Sequence, residues 1–155
     1  MKRFGTAIVL SIALVSLSCG LSSSNSVTLN GNWEAGLANP DATPAFGFTA
    51  TLAQSGSTLS VTKLSFVTPS SCFASGTTAT GVFTLTDTTH GVSTGAFQMT
   101  VQSGPSNQNG TNTLALQGTF TRNAISGSWT LTGTGLNCST PEDSTSGSFT
   151  MVQMM

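Results

Sequence analysis

From Leu114 to Leu131 the chain alternates strictly between apolar and polar positions. Leu114, Leu116, Gly118 and Phe120 interleave with Ala115, Gln117, Thr119 and Thr121, and the same beat returns after Arg122-Asn123 as Ile125, Gly127, Trp129 and Leu131. A period of two is the signature of a half-buried strand, and two such runs joined by a two-residue link make a β-hairpin. Its expected register sets Phe120 against Ile125, Gly118 against Gly127, Leu116 against Trp129 and Leu114 against Leu131. A slip of one residue would turn the apolar face to water, so the pairing is strongly specified. The Gly-x-aromatic unit of this hairpin recurs at Gly31/Trp33, Gly81/Phe83, Gly95/Phe97 and Gly147/Phe149.

The same beat places strands along the rest of the chain. Gly31 to Leu37 turns Trp33, Ala35 and Leu37 inward, and Asn39-Pro40-Asp41 with Pro44 ends it. Ala45 to Gln54 turns Phe46, Phe48, Ala50 and Leu52 inward. A turn at Ser55-Gly56 then sets Leu59 and Val61 opposite Leu52 and Ala50. The apolar phase switches from Val61 to Leu64 and Phe66, which one extra residue near Thr62-Lys63 explains as a β-bulge. Thr78 to Asp87 points Gly81, Phe83 and Leu85 inward. The strand after Thr94 does the same with Gly95, Phe97, Met99 and Val101, and the last strand with Gly147, Phe149 and Met151.

Eight strands joined to their neighbours by short links predict an all-β, up-and-down antiparallel barrel, with a β-sandwich as the competing arrangement, since periodicity does not separate closed from stacked sheets. In the barrel the longer or proline-bearing links (Leu37 to Pro44, Val67 to Thr77, Ser103 to Gly110, Gly135 to Ser146) share one rim, and the tight turns share the other. The second face, with Thr49, Thr84, Gln98, Thr119, Ser128 and Thr150, is polar, the reverse of a membrane-spanning barrel with its apolar exterior.

Composition then narrows the function. Of 155 residues only 6% are charged, and Lys2 and Arg3 are two of the four basic ones. Nucleic acid is excluded as a partner, because phosphate neutralisation needs a basic surface. Lys2-Arg3, the apolar run from Ala7 to Leu17 and the small residues Ser18-Cys19-Gly20 read as a secretory leader over residues 1–18, too short to span a bilayer, which takes about 20 residues. Residues 19–28 read as a polar tether reaching roughly 15 Å, and 29–155 as one barrel domain.

At Val15-Ser16-Leu17-Ser18-Cys19 the leader resembles those of bacterial lipoproteins. The resemblance implies lipid on Cys19 as the mature N-terminus and a membrane anchor. Gly20 in the next position implies sorting to the outer membrane. Cleavage by ordinary signal peptidase would instead release a soluble exported protein, periplasmic or secreted. The three cysteines are an odd number for an exported chain, and assigning Cys19 to lipid, or losing it with the leader, leaves Cys72 and Cys138 as a disulfide pair.

Candidate chemistry is sparse. Asp87, His90 and Gly91-Val92-Ser93-Thr94-Gly95 contain a G-x-S-x-G match, but a nucleophile elbow sits between strand and helix and this link joins two strands. Glu142-Asp143 are adjacent carboxylates on a polar loop with Asn137 and Cys138. They do not form the opposed pair of a glycosidase, and a single histidine gives no zinc set. Neither an enzyme, a metal nor a cofactor is expected. Gly31-Asn32-Trp33 resembles the Gly-x-Trp opening of lipocalins and of avidin-like barrels. In lipocalins that tryptophan packs across the barrel floor beneath an arginine, here Arg122; the avidin-like pocket also uses tyrosines, which this chain lacks. An eight-stranded barrel is just wide enough to be filled by side chains or to hold one small ligand, so the inward Trp33, Phe48, Phe83, Phe97, Leu116 and Trp129 are candidate lining for a small apolar ligand, with the long-loop rim as a surface for a protein partner. If the aromatic rings fold over the inner glycines, the core is solid and the protein is a structural surface lipoprotein; if they stand along the wall, a cup remains.

Overall fold

The computed structural model describes residues 27–67, 73, 77–87, 93–103, 111–121, 123–133 and 145–155. They form a closed antiparallel barrel of eight strands in sequence order: β1 (Gly31–Ala38), β2 (Pro44–Ser55), β3 (Thr58–Phe66), β4 (Thr78–Asp87), β5 (Thr94–Gln102), β6 (Asn112–Thr121), β7 (Ala124–Gly133) and β8 (Ser146–Gln153). The closed barrel, not the sandwich, is the solution this sequence adopts, and closure pairs β1 with β8 from Trp33↔Gln153 to Ala38↔Ser148.

The β6–β7 hairpin has the register expected of it, with Leu116 against Trp129 and Phe120 against Ile125. The bulge is present too. Thr49 pairs Ser65 and Thr51 pairs Thr62, so two residues of β3 oppose Ala50 alone, and Lys63 takes a left-handed φ of 49°. The β2–β3 turn differs from expectation. Ser55 pairs Thr58, so Gly56-Ser57 form the turn, and Leu59 and Val61 lie opposite Gln54 and Leu52. Gly56 supplies the positive φ of 60° that a tight hairpin turn needs. A shift of two residues keeps every side chain on its face, so the apolar pattern does not distinguish the two registers.

The β3–β4 seam is the short one. Pairing runs only from Thr58 to Ser60, with one further bond from Phe83 N to Ser57 O at 2.8 Å, whereas β6 and β7 pair from end to end. Where the strands part, Phe73 enters from the intervening link, buried, and stacks on Phe66 at 5.0 Å and 6°. At the opposite end of the seam β4 outruns β3. Leu85, expected inside, is 40% exposed there because no β3 residue covers it.

One core fills the barrel, built from the inward beat of all eight strands; burying each large side chain contributes about 1.5–3 kcal/mol. The polar beat faces water: Thr84, Gln98, Ser128 and Thr150 are exposed.

Candidate functional site

The six interior candidates converge. Trp33, Phe48, Phe83, Phe97, Leu116 and Trp129 all point inward and are almost completely buried. The rings of Phe83 and Trp129, and that of Phe149, lie across inner glycines. A Cβ on Gly95 would collide with the Phe83 ring, one on Gly118 would meet Phe149 Cζ at 2.9 Å, and one on Gly147 would meet Trp129 Nε1 at 2.7 Å. Phe46 packs on Trp129 at 5.2 Å, Phe83 on Phe120 at 5.7 Å and Phe97 on Phe149 at 6.3 Å. Of the two packings open to the sequence, Phe83, Phe149 and Trp129 take the one in which the ring folds over glycine.

Each tryptophan also closes one end. Towards the tight-turn rim, Trp33 Nε1 donates to Leu29 O at 2.9 Å, and Leu29 is fully buried. The segment before β1 is pinned across the floor by Leu29 N donating to Gln54 Oε1 (2.9 Å), Gln54 N to Asn30 Oδ1 (2.6 Å) and Gln153 Nε2 to Asn30 O (2.9 Å). Val27, within the stretch expected as tether, packs against the core. Towards the long-loop rim, Trp129 Nε1 donates to Ala38 O at 2.9 Å. The described part of that rim is held by Asn39 N to Thr43 O (2.9 Å), and by Ser103 N to Asn112 O (2.9 Å) with Asn112 N returning to Ser103 Oγ (2.7 Å).

Several sequence candidates lie outside the described residues: Cys19, Cys72 and Cys138, His90, Arg122, Asn137, and Glu142-Asp143. Of the G-x-S-x-G match, Gly95 is a buried residue of β5 covered by Phe83. It serves packing.

A feature missed in the sequence lies on the outer wall. A groove of about 600 Å³ runs over β2, β1 and β8, lined by Glu34, Gly36, Ala45, Gly47, Val67 and Val152 among others. Gly36 and Gly47 are cross-strand partners and form its floor. Val67 is held over its edge by Val67 N donating to Gly47 O at 2.8 Å. The signal was available: these two glycines fall on the outward beat, while those of the Gly-x-aromatic units fall on the inward one.

Fold and site together define a small, aromatic-packed β-barrel with a closed floor and an apolar groove outside. Comparison with protein-family models, with curated proteins and with solved structures returns no match.

Proposed function

We propose that this chain is an exported, lipid-anchored, non-catalytic binding module of the bacterial cell envelope, carrying lipid on Cys19 and a Cys72–Cys138 disulfide, and acting through its outer wall and long-loop rim. The observation that carries the outward reading is the packing of Phe83, Phe149 and Trp129 over Gly95, Gly118 and Gly147. An apolar ligand inside would need the space these rings fill. The leader supports the anchor. The floor geometry is in keeping with it, because the chain enters at the tight-turn rim and the elaborated rim points away. The same packing also favours a second reading, a structural surface lipoprotein with no ligand, which differs in assigning the outer groove no occupant.

The test is the intact mass of the protein purified from its host's membranes, measured natively and then denatured, before and after reduction and alkylation. Expected is a chain starting at Cys19 and heavier by a diacylglycerol or triacyl group, with Cys72 and Cys138 alkylated only after reduction. An unmodified mature chain would overturn the anchor. A retained apolar small molecule in the native spectrum would overturn the outward reading in favour of an interior ligand.

A further inference from the structure

The outer groove has a chemical preference of its own, and reading it rests on the outer-wall function just proposed. Gly36 is the informative residue. Its φ lies outside the left-handed region, and a Cβ built on it meets no atom within 4 Å. Neither backbone conformation nor internal packing therefore requires glycine there. In a strand, such a glycine leaves bare backbone where another molecule can approach closely. Its cross-strand partner Gly47 extends the bare floor, and the flanking Val67 and Val152 are 65% and 45% exposed, so the walls are apolar and open to an occupant.

Glu34 stands on the same outward beat of β1, between Thr49 of β2 and Val152 of β8. It is the one charged residue among the described residues lining the groove, and neither cross-strand neighbour can neutralise it. A neutral occupant would strip water from this carboxylate without replacing it, and an anionic one would be repelled. We infer that the groove binds a small organic cation, with its apolar body over Gly36 and Gly47 and its ammonium group against Glu34. The volume of about 600 Å³ falls among those of small-molecule sites, roughly 300–1,000 Å³.

The experiment is an amide NMR titration of the mature protein with phenylbutylammonium, phenylbutanol and phenylbutanoate, three probes that share one apolar body. Expected are saturable shifts at Gly36 and Gly47, with the ammonium binding about threefold tighter than the alcohol, as a partly exposed ion pair allows, and the carboxylate weakest. Glu34→Gln should make ammonium and alcohol equal. Gly36→Val, which fills the floor and should leave the rest of the spectrum in place, should abolish the shifts from all three. Equal binding of the three probes, or an ammonium preference that survives Glu34→Gln, overturns the cation assignment and leaves the outer-wall function standing. Shifts confined to the Trp33 and Trp129 indoles overturn the outer-wall function itself. No saturable shift at any residue, or binding that survives Gly36→Val, overturns the inference.

Discussion

The indole of Trp129 on β7 passes over Gly147 of β8 to reach the Ala38 carbonyl of β1 at 2.9 Å. Gly147 is Trp129's cross-strand partner, and any side chain there would occupy the path. One hydrogen bond thus ties β7 to β1 across β8, at the point where the barrel closes.

Gly147 on the inward beat and Gly36 on the outward one should therefore respond oppositely to alanine. Gly147→Ala forces its Cβ onto Ala38 O and Trp129 Nε1 and should destabilise by about 1–3 kcal/mol, the usual cost of overpacking. Gly36→Ala meets nothing and should be neutral or stabilising by about 0.4–1 kcal/mol through the unfolded chain. Urea unfolding midpoints of the two variants check this.

Leu29 is sealed beneath Trp33 although it precedes the first strand. A chain beginning at Val27 should unfold at the same urea concentration as one beginning at Cys19. A chain beginning at Asn30 should lose about 2–5 kcal/mol, as for removal of a buried leucine. Equal stability of the two truncations would show that the floor contributes nothing.

At the β3–β4 seam, backbone bonding beyond Ser60 on the β4 side gives way to the Phe73–Phe66 stack. Hydrogen exchange should be faster in the Val61–Phe66 part of β3 than in β6 or β7, since local opening follows sparse pairing. Phe73→Ala should widen that difference and cost about 3 kcal/mol.

A Cys72–Cys138 bridge would restrict the unfolded chain by about 4 kcal/mol in the loop-entropy view. Reduction should lower the urea midpoint accordingly, and Cys72→Ser should give the same midpoint with or without reductant. An unchanged midpoint on reducing the wild type would count against the bridge.

Much of the barrel was legible because inward and outward positions keep a period of two. The β6–β7 register and the bulge at Lys63 follow from where Trp129, Ile125, Leu64 and Phe66 must point. The β2–β3 register did not follow, since a shift of two preserves both faces and the conformation of Gly56 decides. Leu85 obeys the beat yet lies exposed, because strand ends are set by neighbours the pattern does not name. All six interior candidates were legible as inward positions. The groove was legible only in part: the outward beat marks Gly36 and Gly47, but it joins them to Val152 of a third strand, and only the finished sheet makes the three adjacent.

The pairing of β1 with β8 ties folding to the arrival of the eighth strand. Hairpins such as β6–β7 join neighbours and can form as soon as both strands exist. Closure joins β1 to β8, so a chain emerging amino end first, as the proposed export would require, has no finished cylinder until Met151 and Gln153 have emerged. Until then Trp33 and Leu37 lack their β8 neighbours, and the open edges of β1 and of the newest strand can add strands from other chains. Truncation within β8 should therefore yield aggregates instead of a smaller barrel.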